Sequence, residues 1–172
     1  MAITKIAQVD VGAGGVTSID FTSIPQTFTD LILMFSLRGS NADVRQEFSM
    51  FLNNNGSGYS FRSFLGSGSS ASSTNSAATA PPDGTAATAT AGTFSNGQVY
   101  FPNYAGSTNK SYSLDQVTEN NGTSSYQILT MGLWSNTAAI NQISVQGTTI
   151  QQYSSCSLYG ISKLGATGAT VA

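Results

Sequence analysis

Alternation of apolar and polar residues with a period of two restricts this chain more than any other feature. In "DLILMFSLR", Leu31, Leu33, Phe35 and Leu37 share one side. In "VRQEFSMFL", Val44, Phe48, Met50 and Leu52 share a side, with Arg45 and Glu47 opposite. "YSFRSFL" groups Tyr59, Phe61 and Leu65, and "KSYSLDQV" alternates through Tyr112 and Leu114. "AINQISV" and "YSSCSLYGI" repeat the pattern. Successive side chains of a strand point to opposite faces, so such runs read as half-buried strands. "YQILTMGLW" is apolar at both parities, which predicts a central strand covered on two faces. "KIAQVDV" and "VTSIDF" are weaker strand candidates.

Turn chemistry separates the runs. Asn55-Gly56, Asn96-Gly97 and Asn121-Gly122 predict tight hairpins, because both central residues of a type I′ turn need positive φ. No segment has helical periodicity. "SNTAAI" predicts at most a single helical turn, capped by Ser135 or Asn136. About nine or ten short strands predict an all-β fold, an antiparallel β-sandwich of jelly-roll-like type. Leu33, Phe35, Phe48, Met50, Leu114, Ile128 and Trp134 are its expected core. Cys156 lies in an alternating run and is read as a small core residue.

One stretch breaks the alternation. From Leu65 to Gly97 the chain is mostly Ser, Ala, Thr and Gly, with two prolines and one charge, Asp83. Such composition fits a flexible linker or a long loop. Neither flank covers both faces of a sheet alone, so residues 1–172 are read as one domain. Residues 66–93 are then an extended arm or loop within it. Small residues lose little side-chain entropy when ordered and let backbones approach closely. The arm is therefore expected to reach onto another subunit, with Ser67, Ser72, Thr79, Pro81, Pro82 and Thr88 as candidate interface residues. "YFPNY" adds Tyr100, Phe101 and Tyr104, which either meet a partner or cap the end of the sandwich.

Charge content excludes several functions. The 172 residues hold six basic and eight acidic side chains, 8% of the total, against about 25% in ordinary domains. Interface cores are depleted of charge in the same way, and a low-charge extracellular β-protein is the alternative. The basic residues are scattered, so no phosphate-binding cluster for nucleic acid exists. No long apolar run predicts a membrane span. "MAITKIAQVD" has no apolar segment after Lys5, so classical export is not expected. The chain has no histidine and a single cysteine, which removes histidine-based triads and Cys/His zinc sites. Asp115 and Glu119 share strand parity, but four residues of strand separate them by about 13 Å, too far for a glycosidase pair. Asp43 and Glu47 flank Arg45 and read as an exposed ion-pair row worth at most ~1 kcal/mol. No catalytic, metal or cofactor residues are assigned.

Several segments together resemble small structural proteins of tailed bacteriophages, especially those of marine and cyanobacterial phages. They are "SIPQTFTDLILMFSLR", "VYFPNYAGSTNKSYSLD", "GLWSNTAAINQISV" and "CSLYGISK". Within them, Ile24, Pro25, Thr27, Phe28, Thr29, Asp30, Leu31 and Leu33 open the pattern, and Leu158 to Ile161 close it. The resemblance covers most of the chain except the low-complexity stretch. It implies a β-sandwich and a virion component, assembled in the host cytoplasm, and the absence of histidine fits a non-enzymatic role. Two places on the particle are open: a capsid decoration or cement protein on the shell, or a tail-fibre or receptor-binding module for a host glycan or protein. Fibres carry a shaft, and no heptads are present here, which favours decoration. The tail 165–172, "GATGATVA", holds two Gly-x-y triplets, too few for a collagen helix. The expected partners are the major capsid protein or another virion protein, and further copies of the chain, with a trimer preferred by analogy with threefold sites on virions.

Overall fold

The computed structural model describes residues 2–122 and 125–162. Among these residues the chain is all β, with thirteen strands and no helix. They are β1 (Ala2–Asp10), β2 (Val16–Phe21), β3 (Asp30–Ser36), β4 (Arg45–Glu47), β5 (Ser49–Leu52), β6 (Tyr59–Gly66) and β7 (Ala71–Ser76). There follow β8 (Asp83–Thr85), β9 (Asn96–Phe101), β10 (Lys110–Glu119), β11 (Ser125–Trp134), β12 (Ile143–Ile150) and β13 (Ser155–Ser162). The strands divide eight, three and two. The large sheet runs β1-β13-β3-β9-β10-β11-β6-β7, the second β2-β12-β5, and β4 with β8 form a ribbon. All named pairings are antiparallel.

The inner face of the large sheet and the three-stranded sheet share one core. Leu31, Leu33 and Phe35 from β3 and Tyr112 and Leu114 from β10 meet Ile19, Met50, Leu52, Ile143 and Val145. Leu33, Phe35, Phe48, Met50, Leu114, Ile128, Trp134 and Cys156 are all buried, as their parity predicts. The two large sheets each interleave strands from before and after the low-complexity stretch.

Four local expectations are corrected. Phe48 divides the run from Val44 to Leu52 between the β4 ribbon and the β5 sheet, and Val44 is only half-buried. The turn after β5 is centred on Asn53 and Asn54, whose φ values are 52° and 53°, and the Asn55 N–H closes it on Leu52 O at 3.0 Å. Asn-Asn therefore takes the left-handed positions assigned to Asn55-Gly56, as Asn tolerates them too. Asn96-Gly97 is not a turn but the start of β9. Gly97 is needed there because a Cβ would stand 2.3 Å from the Phe35 ring. Asn121, at φ 54°, does lie in the β10–β11 hairpin. "SNTAAI" forms no helix; Asn136 instead accepts the Ala138 N–H across two residues.

β11 also departs from its expected environment. Its inward side, Ile128, Thr130 and Trp134, is buried, but Leu129 and Met131 on the other side are exposed. Both-sided apolarity reflects a bare outer face, not a second covering layer.

Trp134 closes one end of the core. It is 1% exposed and stacks on Tyr59 with ring centroids 6.1 Å apart. Trp134→Ala is expected to destabilise the fold by about 3–5 kcal/mol, measured by urea unfolding; a loss under about 1 kcal/mol would contradict this packing.

Candidate functional site

Pairing fixes which side chains share the outer face of the large sheet. Phe64 on β6 stands beside Leu129 on β11, which stands beside Asp115 on β10. One step along, Arg62, Met131, Ser113 and Tyr100 form a second row, continued by Ile32 on β3. Phe64 is 60% exposed, Met131 61%, Leu129 47% and Met34 46%. Scattered exposed apolar residues are ordinary, but a contiguous group marks a contact surface. Serines on β10 leave a groove of about 490 Å³, floored by Ser111 and Ser113 and walled by Tyr100 and Pro102 against Met131 and Leu133. Asp30 holds Tyr100 in place: its carboxylate accepts from the Tyr100 hydroxyl and the Asn103 N–H, both at 2.8 Å. That bond, more than burial, raises the Tyr100 hydroxyl pKa.

The sequence-derived interface residues separate into two groups. Ser72 and Thr88 are exposed, and Ser67, Thr79, Pro81 and Tyr100 are half-buried. Pro82, Phe101 and Tyr104 are buried and removed from any partner. Phe101 packs on Tyr112 at 5.6 Å between centroids, and the Tyr104 hydroxyl bonds to Pro25 O. Of the "YFPNY" aromatics only Tyr100 faces outward.

The low-complexity stretch does not extend away as an arm. Its first part is β7, paired along β6. Its later part is held by groups of its own domain. Gln116 accepts the Asp83 N–H at 2.8 Å and donates to Pro81 O at 3.2 Å. The Arg38 guanidinium donates to Ala89, Thr90 and Thr93 carbonyls at 3.1, 3.0 and 2.9 Å. In this later part, backbone groups of Pro81, Asp83, Ala89, Thr90 and Thr93 thus find partners within the domain. Gly84 admits the Phe48 ring, which a Cβ would approach to 2.6 Å.

Asp83 is the group that sequence reasoning missed. The only charge in the stretch is fully buried. Its Oδ2 accepts from Arg45 Nη1 at 2.5 Å, and its Oδ1 has no hydrogen-bond partner among the described residues. Arg45, whose guanidinium lies 5.5 Å from the Tyr126 ring centre, also pairs with exposed Glu47 at 3.1 Å. The supposed exposed row is therefore anchored inward by Asp83. Beside it lies a cavity of about 130 Å³ lined by Ser63, Thr130, Gln116, Pro81 and Ile128 among others. The Ser63 and Thr130 hydroxyls bond to each other at 2.5 Å. Nothing in the sequence pairs Arg45 with a residue 38 positions away.

Among the described residues no three His, Cys, Asp or Glu side chains gather as a metal site. Asp115 and Glu119 both lie exposed on the outer side of β10. Comparison with protein-family models, curated proteins and solved structures returned no match.

Burial pushes the Asp83 carboxyl up to about 7, outweighing the attraction of Arg45. The native chain then retains a proton that the unfolded chain loses near pH 3.8. This contribution to stability is full below the unfolded value, declines as pH rises toward 7, and is level above. Over that span it amounts to about 4 kcal/mol at most. Urea unfolding from pH 5 to 8 is expected to show wild type losing stability relative to Asp83→Asn. Parallel pH curves for the two would contradict this.

Proposed function

We propose that this chain is a non-enzymatic structural protein of a tailed-bacteriophage particle, bound to the capsid shell as a decoration or cement protein. The observation that carries the reading is the bare outer face around Phe64, Leu129 and Met131, more than 40% exposed on each. A chain with 8% charged residues has little repulsion to keep such a face apart from protein. Large apolar side chains with a polar surround suit the centre of a protein interface, where a few residues carry most of the affinity. The segments around Ile24–Leu33 and Leu158–Ile161 that resemble phage structural proteins supply the particle. The partner is then the major capsid protein or another virion protein.

A tail-fibre or receptor-binding role is the second reading. The groove favours it: Tyr100 and Pro102 stand over serine hydroxyls with Arg62 nearby. Aromatic rings beside hydroxyl and guanidinium groups are chemically suited to a sugar.

The two readings separate by binding. Purified protein is expected to co-sediment with phage particles that lack it. Leu129→Asp combined with Met131→Asp should weaken that binding at least about tenfold, roughly 1.4 kcal/mol, with unchanged thermal melting. Wild-type binding by the double variant would overturn the shell-docking surface. Attachment to host polysaccharide, with none to particles, would favour the receptor reading.

A further inference from the structure

We infer that the free edge of β7 is a self-association strand, pairing antiparallel with β7 of a second copy across a two-fold axis. Among the described residues the large sheet ends in β1 on one side and β7 on the other. An uncovered edge templates further strands, and proteins blunt such edges with charges, prolines or bulges. β1 carries these protections. Exposed Lys5 and Asp10 lie on it, and its register slips between Lys5 and Ala7. β7 carries none. Its six residues, Ala71 to Ser76, are uncharged and contain no proline. They pair with β6 at six successive positions without a slip. Five of the six are exposed.

The second copy is favoured by charge and register. A two-fold axis brings identical residues together, so a charge near it repels itself. β7 has no charge to repel, and its small side chains leave no steric obstacle. Ser73 shares the outer face with its neighbour Phe64. A register that keeps the same faces outward sets Ser73 opposite Ser73 of the second copy. Ser72 then lies opposite Thr74, and Ala71 opposite Asn75. Such Ser/Thr pairs are favourable across strands. Arg62, the one charge on β6, neighbours Asn75, while Gly66 neighbours Ala71. The register therefore sets Arg62 in line with Gly66 of the second copy, and the two arginines stay apart. The joined sheet carries Phe64 of both copies on one side, flanking a floor of small β7 residues. This contact closes at two copies, not the three that the phage resemblance suggests. It is independent of where the protein sits on a particle.

The test is made on the full chain in solution. Sedimentation velocity is expected to show a dimer. Ser73→Lys, which sets two ammonium groups at the axis, should give a monomer with unchanged far-UV dichroism and melting temperature. Ser73→Cys should form a covalent dimer on mild oxidation, while Gln8→Cys on β1 should not. Native Cys156 does not interfere, being buried with its thiol pushed up to about 12. A monomeric wild type, a dimer that survives Ser73→Lys, or equal cross-linking of Gln8→Cys would each overturn the inference. Failure of particle binding with an intact dimer would count only against the capsid reading.

Discussion

One-sided burial of the eight-stranded sheet is the constraint on which the rest of this structure depends. Its inner face is covered by the three-stranded sheet and by the β4–β8 ribbon, which together supply far fewer strands than it has. Every strong alternating run resolves its apolar parity toward that layer. The opposite parity stays outside, polar on β10 but apolar at Phe64 of β6 and at Leu129 and Met131 of β11. Burying a large apolar side chain is worth roughly 1.5–3 kcal/mol. Phe64, Leu129 and Met131 leave that gain unrealised within a single chain, and an assembly can recover it.

The low-complexity stretch completes the inner covering. Ordering backbone costs about 1–2 kcal/mol per residue, and a stretch of Ser, Ala and Thr recovers little of that by burying side chains. It is held by hydrogen bonds from side chains elsewhere in the chain, above all Gln116 and Arg38, and by Arg45 on Asp83. Breaking a buried ion pair from one side leaves an uncompensated charge. Burial raises the Asp83 carboxyl pKa despite Arg45, so the attraction does not fully offset the desolvation of the pair.

The strands and the core were legible because period two is imposed by the backbone and needs no knowledge of partners. Leu33, Met50 and Leu114 follow from parity alone. The misreadings share a physical origin in tertiary contacts. Gly97 looks like half of a hairpin turn, but it is small because Phe35 packs on it. By sequence Phe101 and Tyr104 either meet a partner or cap the sandwich, and their contacts with Tyr112 and Pro25 make them the cap. β11 is apolar at both parities whether its second face meets another layer or nothing, and sequence does not distinguish the two. Asp83 stands in the sequence only as the one charge of its stretch, and the pairing of β4 with β8 is what brings Arg45 beside it. The outer groove is partly legible through Tyr100, while the two-sided apolarity of β11 predicts a cover over Leu129 and Met131 that the structure lacks.

The central claim is that the outer face of the large sheet is built to be covered by other virion protein. Electron cryo-microscopy of the intact particle, at a resolution that traces this chain, tests it most directly. The account predicts density of a neighbouring shell protein against Phe64, Leu129 and Met131. A chain seated on the particle by its three-stranded sheet, with those three side chains open to solvent, would contradict it.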